Sequence, residues 1–365
     1  MKALLVITGR GIGGDARVGL NVTQALENEG VQCEIALDHN APGLLYKKNG
    51  YSWHKVSIPQ AGGHAASKTS TIKAGVKTLK AARETKKLIK QLKPDIVVGI
   101  IGGGAVIGCL AAKLAKVPAV GLIDTPLDSK VCSKLNYCIV LPENQLFKSN
   151  NLPSNLEKSF FPLTPGITKG DKNQGLNKVK EHIKEVKSNN PNKKFADFDE
   201  NKTTLLFSSG SSLFEMTAKA VENFTNIVND EYNILLVGDP LEKEYLKMVD
   251  DSKVINLGYI DWIKDCYALT DLAVLTDDGN MMQESLACEL PSIALTKVKY
   301  GRYHNMAAIF PGAVVESDIQ DLNDKIFDTL KNLDSIQAKT KEYSQEILSS
   351  GKKIANIVIN EANKK

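Results

Sequence analysis

Four short turns rich in glycine or hydroxyl side chains are the parts of this sequence best suited to bind an anionic ligand. Each follows an apolar segment typical of a β-strand and precedes a helical pattern, and together they cover residues 9–14, 102–104, 208–212 and 277–280. Where a parallel strand ends and a helix begins, unpaired backbone N–H groups and the helix dipole attract phosphate. A single such turn is common without any ligand, but four in one chain favour ligand binding.

The same turns disfavour several nucleotide-binding classes. The first turn, GRGIGG at 9–14, has GxGxxG spacing but is followed directly by Asp15, and the chain contains no GxxxxGK[S/T] sequence, which argues against a P-loop kinase. The six cysteines form no CxxC pair and the five histidines are scattered, which argues against zinc and against a metallohydrolase. We therefore interpret the cysteines as reduced structural residues and expect neither a metal nor another cofactor.

Glu284 is the acidic side chain best suited to hold a sugar. It lies early in a predicted helix that begins near Gly279, after a strand that ends at Thr276. Its carboxylate can accept hydrogen bonds from both hydroxyls of a ribose. An acid at a helix start is also common for a structural reason, because it complements the helix dipole by about 0.3–1 kcal/mol. This position alone leaves both interpretations open.

A repeated plan of strand, turn, helix and strand would position these side chains. We predict strands at residues 2–8, 31–37, 94–101, 117–123, 204–207, 234–237, 254–257, 272–275 and 291–295. The continuous apolar run at 94–101 is typical of a strand buried on both faces. The pattern predicts an α/β protein with two doubly wound, Rossmann-like domains.

A polar stretch rich in Lys and Asn, residues 168–202, interrupts the plan and indicates a domain junction. We predict an N-terminal domain at 1–165 and a C-terminal domain at 166–335 that contains the polar insertion. The remaining residues, 336–365, are predicted to form C-terminal helices that pack back towards the N-terminal domain. A helix break is predicted at 349–351, where the sequence reads SSG.

Length and composition suit two globular domains. The chain has 365 residues, of which 42% are hydrophobic and 24% charged, so disordered, collagen-like and coiled-coil classes are excluded. Its net charge of +4 is too small to predict nucleic-acid binding. No apolar run reaches the roughly 18–20 residues of a membrane span, and the first residues read as a strand, not as a signal peptide. We therefore expect a cytoplasmic protein.

Residues 64–93 contain nine basic residues and a single acid, Glu84. Apolar residues recur among them at helical spacing, namely Ile72, Val76, Leu79, Leu88, Ile89 and Leu92. A basic amphipathic helix can lie on anionic lipid, but an outer helix packed on a sheet has the same pattern. We predict that the apolar stripe packs on the sheet and that part of the positive charge faces an anionic membrane.

The order of these motifs resembles that of the two-domain GT-B glycosyltransferases, most closely the MurG-like enzymes. KPDIVVG at 93–99, followed by glycines at 102–103, is similar to the family segment KPDVVxGxGG, and AA at 111–112 and VPAV at 117–120 match later positions. LLFSSGS at 205–211 is similar to the turn that opens the family's second domain, and residues 279–291 resemble its nucleotide-binding helix. The resemblance runs from residue 2 to about 316, apart from the insertion.

This resemblance implies a GT-B fold, with two Rossmann-like domains facing across a cleft. It further implies an inverting, metal-independent transfer of an N-acetylhexosamine, in the family GlcNAc, from a UDP-sugar to a polyprenyl-phosphate-linked cell-wall precursor. Such an enzyme would be peripheral on the inner face of the cell membrane.

The resemblance also implies site residues. Glu284 would hold the ribose hydroxyls, Tyr259 and the Ile260 backbone would contact uracil, and Ser211 would hold the diphosphate. N–H groups around Asn280, Met281 and Met282 would assist Ser211, while Arg302 and Asn305 would lie near the donor sugar. The phosphate and acceptor loops of the first domain would contribute Gly13, Gly14, Gly103, Gly104 and Thr125.

The acceptor side departs from the family pattern. Asp15 stands where the family's first loop has His, LIDT at 122–125 replaces HEQN, and Gly301 with Arg302 replaces a glutamine pair. These differences predict an altered sugar or acceptor pocket, as in a divergent relative that serves an archaeal pseudomurein-type precursor.

Direct displacement of UDP by an acceptor hydroxyl needs a general base. Asp124 and Asp15 are the candidates, and each is equally well explained as a helix cap or turn aspartate. Asp124 directly follows a buried strand, whereas the helix dipole would keep Asp15 ionised and less basic. We predict Asp124 as the base and Asp15 as a residue that orients the acceptor.

Two other classes stay open at this point. A UDP-sugar 2-epimerase has the same fold, but its usual early Arg-Pro-Glu signature is absent here. A non-catalytic subunit that recruits a partner to the membrane would tolerate the substituted His and Gln positions. Product analysis without an acceptor tests the first, and UDP release with a lipid acceptor tests the second.

Overall fold

The computed structural model describes residues 1–10, 14–59, 68–164, 166–277, 279–298 and 304–364, with the side chains of 68–75 outside the description. The chain divides into two compact units. The first comprises Met1–Pro165 together with Ser349–Lys365, and the second comprises Gly166–Leu348.

The first unit contains a seven-stranded parallel sheet in the order β3-β2-β1-β4-β5-β6-β7. Its strands are β1 (Lys2–Ile7), β2 (Gln32–Asp38), β3 (His54–Val56), β4 (Ile96–Ile100), β5 (Ala119–Ile123), β6 (Tyr137–Val140) and β7 (Leu156–Lys158). Its helices are α1 (Gly14–Asn28), α2 (Leu44–Lys48), α3 (Lys68–Leu92), α4 (Ile101–Ala115) and α5 (Pro126–Cys132). The predicted doubly wound plan is therefore present.

The second unit contains a six-stranded parallel sheet in the order β10-β9-β8-β11-β12-β13. Its strands are β8 (Thr203–Leu213), β9 (Tyr232–Pro240), β10 (Val254–Gly258), β11 (Leu272–Thr276), β12 (Ser292–Leu295) and β13 (Val314–Ser317). Its helices are α6 (Lys172–Asn189), α7 (Glu215–Thr225), a 3-10 helix (Lys243–Met248), α8 (Ile263–Leu269), α9 (Gly279–Ala287), α10 (Met306–Ile309) and α11 (Leu322–Lys331). The last helix, α12 (Leu333–Asn363), begins in this unit and ends in the first.

Strand β1 illustrates why these apolar runs form central strands. Leu5 and Ile7 belong to one core cluster, and Leu4 and Val6 belong to another. Side chains alternate between the faces of a sheet, so a strand covered on both sides needs an unbroken apolar run. The strand order reverses between β1 and β4 in the first sheet and between β8 and β11 in the second. Ligands of doubly wound sheets bind at such switch points.

The turn predicted at 208–212 is wrong in its detail, because β8 continues through it to Leu213. Its register with β9 shifts between Ser208 and Ser212. The serine hydroxyls satisfy local backbone groups, since Ser208 Oγ donates to the Val237 carbonyl at 3.0 Å and accepts the Gly210 N–H at 3.1 Å. These side-chain bonds replace the ladder bonds lost at the irregularity.

The helix break predicted at 349–351 is also wrong, since α12 is continuous from Leu333 to Asn363. The Ser350 hydroxyl donates to the Phe161 carbonyl at 2.9 Å. A Cβ at Gly351 would make an ordinary van der Waals contact with the Ala25 Cβ, at 3.4 Å, so the helix lies close to α1 at this point. Tertiary packing thus outweighs the weak helix propensity of this segment.

The prediction that the whole apolar stripe of α3 packs on the sheet is wrong for Val76 and Leu79, and the Ile72 side chain lies outside the description. Ile89 is 1% exposed, whereas Val76 and Leu79 are 66% and 49% exposed.

Within the described part of the chain, no helix is long and apolar enough to cross a membrane. The six cysteines are free and five of them are buried, and burial raises the pKa of the Cys266 thiol to about 12.

Candidate active site

The first loop, between β1 and α1, is shaped by Asp15. The Asp15 Oδ2 atom accepts the Gly9 N–H at 2.9 Å, and the side chain is half-buried in the first turn of α1. Gly14 is exposed and has a φ of +52°, with nothing within 4 Å of an added Cβ. Gly13 lies outside the described residues. Asp15 therefore has a structural role in this loop, and its role in orienting an acceptor stays a prediction.

The second glycine turn forms the start of α4, directly after β4, and lies beside the first loop because β4 pairs with β1. Gly102 has φ 57° and ψ −126°, a conformation that L-residues with side chains rarely adopt. A Cβ at Gly103 would lie 2.7 Å from the Ile58 Cγ2, and one at Gly104 would lie 2.7 Å from the Val6 carbonyl oxygen. Close packing on β1 thus explains Gly104 without any ligand, and its phosphate role stays a prediction.

Asp124 and Thr125 follow β5, the next strand of the same sheet. Asp124 is half-buried. Thr125 is the N-cap of α5, and its Oγ1 accepts the Asp128 N–H at 3.4 Å. The parallel sheet brings Asp124, the Gly102 loop and the first loop to one edge, at the carboxyl ends of β5, β4 and β1. This shared edge is the arrangement expected of an acceptor-binding surface.

In the second unit, the predicted donor residues also share one edge. Ser211 is exposed in the irregular part of β8. Tyr259 follows β10 and is 56% exposed, and the next residue, Ile260, is half-buried. Strands β10, β9 and β8 are neighbours, so both turns lie at the carboxyl ends of adjoining strands. An exposed aromatic ring at this edge is suited to cover a planar base.

Helix α9 follows β11, the strand that pairs with β8. Asn280 and Met281 are half-buried, whereas Met282 is fully buried, backbone included, so of these three residues only Asn280 and Met281 are accessible to a ligand. Glu284 is half-buried. Burial raises the pKa of the neighbouring Tyr267 phenol, and the Glu284 carboxylate raises it further. Glu284 therefore lies at a partly enclosed position one turn into the helix.

The segment at 304–305 is held against the end of β11. The His304 N–H donates to Asp277 Oδ2 at 3.0 Å, and its Nδ1 lies 3.0 Å from the Asp277 carbonyl oxygen. Because a carbonyl only accepts, Nδ1 carries the proton. Asn305 is exposed and caps α10, with its Oδ1 accepting the Ala308 N–H at 2.9 Å. Arg302 lies outside the described residues.

Three comparisons with known proteins agree with this architecture. A model of the glycosyltransferase family 28 N-terminal domain matches residues 5–120. The chain is 25% identical over 294 residues to a UDP-N-acetylglucosamine--N-acetylmuramyl-(pentapeptide) pyrophosphoryl-undecaprenol N-acetylglucosamine transferase of Clostridium perfringens, covering 78% of this chain and 76% of the relative. A protein of that name from Finegoldia magna is 23% identical over 365 residues, covering 93% and 92%.

Among solved structures, MurG of Acinetobacter baumannii aligns with 98% of this chain and 99% of its own, with a TM-score of 0.66 and 17% identity. That likeness shows a shared fold. This chain is thus similar to MurG-like glycosyltransferases and has the GT-B fold. Within the residues described, no group of three or more His, Cys, Asp and Glu side chains could hold a metal ion. The metal-independent reaction of this MurG-like enzyme stays a prediction.

Asp128, a buried acidic residue of the first unit that joins several backbone groups, was missed by the sequence analysis. It is fully buried. Its Oδ2 accepts the Gly102 N–H at 2.6 Å, and its two oxygens lie 3.2 and 3.4 Å from the Asp124 N–H. The spacing from Thr125 to Asp128 matches a capping box, and this signal could have revealed its local role.

Burial raises the pKa of Asp128 above its ordinary value of 3.8, although backbone N–H groups act in the opposite direction. An acid whose pKa is higher in the folded than in the unfolded state stabilises the fold fully at pH values below its unfolded-state pKa. That contribution is lost as the pH rises through its folded-state pKa. Replacement by Asn removes this titration. The free energy of unfolding of the wild type should therefore fall relative to Asp128→Asn as the pH rises above 3.8. Urea denaturation across this range measures it, and a pH-independent difference would contradict the expectation.

Two further contacts in this MurG-like enzyme escaped the sequence analysis. Arg10, directly after Gly9, forms an ion pair with Asp38, which is 1% exposed, and donates to the Ile58 carbonyl at 2.9 Å. In the second unit, Asp239 Oδ1 accepts the Tyr259 N–H at 3.0 Å. Both contacts attach a candidate ligand loop to a neighbouring strand end. No short sequence motif could predict either contact, because the two partners are 28 residues apart in the first and 20 residues apart in the second.

Proposed function

We propose that this protein transfers N-acetylglucosamine from UDP-N-acetylglucosamine to a polyprenyl-diphosphate-linked muramyl acceptor. The proposal is carried by one observation: the full-length relatives that match 78–93% of the chain bear the name of this transferase. The convergence of Ser211, Tyr259 and Glu284 on one sheet edge supports it. We place the enzyme on the cytoplasmic face of the membrane, where such an acceptor would be presented.

The second unit would bind the donor. The Glu284 carboxylate would accept hydrogen bonds from both ribose hydroxyls, and the Tyr259 ring would cover the uracil beside the Ile260 backbone. Ser211 and the first N–H groups of α9 would hold the diphosphate, because a helix start concentrates unpaired donors. Stabilisation of the departing diphosphate by such donors lowers the barrier to transfer.

The first unit would bind the acceptor. The acceptor hydroxyl oxygen would attack the anomeric carbon of the donor as the bond from that carbon to the β-phosphate oxygen breaks, which inverts the configuration. The hydroxyl proton would pass to Asp124, and UDP would leave with the bonding electron pair. Asp15 is a weaker candidate for the base, because its Oδ2 already accepts the Gly9 N–H.

A direct assay tests the proposal. Purified protein is incubated with UDP-N-acetylglucosamine and the polyprenyl-diphosphate muramyl acceptor, and UDP release and product mass are followed. We expect UDP release that depends on the acceptor, and a product one N-acetylhexosamine heavier. Epimerised UDP-sugar without acceptor would support the epimerase alternative, and no turnover with the acceptor would contradict the proposal.

The first half of α3 supports contact with an anionic membrane. Val76 and Leu79 are exposed beside the exposed Lys77 and Lys80, and no acidic side chain of the described residues pairs with either lysine. Several lysines of the polar insertion differ in this respect. Ion pairs there include Lys178–Asp265, Lys180–Glu200, Lys187–Asp197 and Lys193–Asp251. Uncompensated charge beside exposed apolar residues favours an interfacial helix.

Reversing charge at Lys73, Lys77 and Lys80 to Glu should weaken binding to vesicles that contain anionic lipid. Each basic residue near such a surface contributes about 1 kcal/mol, so the loss should exceed about a hundredfold. A matched variant with Lys169, Lys172 and Lys184 reversed, in the insertion, should bind as the wild type does. Vesicle sedimentation measures this. Turnover on a short-chain soluble acceptor should survive, and equal loss of turnover on both acceptors would contradict a membrane role.

A further inference from the structure

One buried carboxylate connects two loops at the acceptor edge of the first unit. Asp128 receives the backbone N–H of Gly102, from the loop after β4, and that of Asp124, from the end of β5. These residues are 26 and 4 positions away from Asp128 in the chain. A change in the position of this carboxylate would therefore move both loops together.

The Asp128 carboxylate is itself held on its other side. The Ser129 hydroxyl donates to Asp128 Oδ1 at 3.2 Å, and Asn144 Nδ2 donates to the Ser129 Oγ at 2.7 Å. Asn144 Nδ2 also lies 3.3 Å from the Ile123 carbonyl oxygen at the end of β5. Asp128, Ser129 and Asn144 are all buried. Satisfied buried networks of this kind define one geometry for the groups that they contact.

The Gly102 conformation shows what this network holds in place. Gly102 interrupts the helical backbone at the start of α4, and its N–H is directed to Asp128 Oδ2 at 2.6 Å. That N–H is consequently engaged within the protein, and the N–H groups that follow it in α4 are the ones that could meet an anion. The same carboxylate holds the Asp124 backbone, from which the candidate base projects.

We propose that Asp128 is a positioning residue for the transfer reaction, which sets the Gly102 turn and Asp124 in the arrangement that receives the acceptor. This inference rests on the proposed function. Asp128 does not touch substrate and acts through the two backbone N–H groups that it accepts. A misplacement of reacting groups by about 1 Å can cost about a hundredfold in rate, so a small shift of these loops is sufficient for a large effect.

The test is Asp128→Asn, in which the amide keeps the shape but one oxygen acceptor becomes a donor. We expect kcat/KM for the acceptor to fall about ten- to a hundredfold. The rate is divided by the concentration of sites that bind UDP, so that unfolded protein is not counted. UDP affinity should be unchanged, because the nucleotide residues belong to the other unit. The matched control is Asp95→Asn, since Asp95 Oδ2 also accepts a backbone N–H, that of Lys2 at 2.9 Å, but at the amino ends of β1 and β4. It should lower stability without changing acceptor kinetics.

A double-mutant cycle with Gly102→Ala separates positioning from general destabilisation. Nothing lies within 4 Å of a Cβ at Gly102, but its φ of +57° strains any side chain, so this variant disturbs the same turn through the backbone. If Asp128 acts through Gly102, the two losses in acceptor kcat/KM should be markedly less than additive. Additive losses, or acceptor kinetics equal to wild type in Asp128→Asn, would overturn the positioning role while leaving the proposed function intact. Absence of transfer by the wild type would overturn both.

Discussion

Glu284→Ala is expected to weaken UDP binding by about 2–4 kcal/mol, which corresponds to roughly 30- to 1,000-fold in affinity. The substitution removes a carboxylate that would accept two charge-assisted hydrogen bonds from the ribose hydroxyls. Glu284 is half-buried at a sheet edge, so the free energy of unfolding should change little. Calorimetric titration with UDP measures the affinity, and thermal unfolding measures the stability.

A control for the helix-dipole explanation is available in the same unit. Asp324 lies in the first turn of α11, which follows the edge strand β13, and it is exposed. Asp324→Ala removes an exposed acid from another helix of the same unit, far from the switch point in the strand order, and it should leave UDP affinity unchanged. If Glu284→Ala also binds UDP with unchanged affinity, Glu284 is a structural acid and the donor assignment is wrong.

Asp124→Asn is expected to lower turnover by about 10²–10⁴ and to leave UDP-sugar affinity nearly unchanged. An amide cannot take the proton that the acceptor hydroxyl loses, whereas the Asp124 backbone N–H can keep its contacts with Asp128. Single-turnover kinetics with saturating donor and acceptor isolates the chemical step from binding.

Asp15→Asn provides the comparison for this assignment. It weakens the contact with the Gly9 N–H, and we expect it to raise the acceptor KM more than it lowers the chemical rate. Full turnover in Asp124→Asn together with loss in Asp15→Asn would reverse the two roles. Similar losses in both variants would show that neither acts alone as the base.

Local patterns in the sequence were sufficient to predict the fold class. The apolar runs that became β1, β4, β5 and β11 are buried on both faces, so their composition carried a strong signal. Short edge strands such as β3 and β7, each of three residues, lack enough apolar residues to show a period. The irregular end of β8 has the sequence pattern of a turn, because its serines resemble a loop when their partners on β9 are unknown.

The sequence by itself determined which residues follow which strands, and hence that Asp124 directly follows a buried strand and that Glu284 lies in the helix after β11. The tertiary structure alone decided that Val76 and Leu79 stay exposed while Ile89 packs on the sheet, because helical periodicity does not tell how far the sheet beneath a helix extends. It also decided that Asp128 reaches Gly102, 26 residues away. Periodicity and capping act over a few residues, whereas such contacts depend on which strands become neighbours, and that order is set by packing the whole sheet.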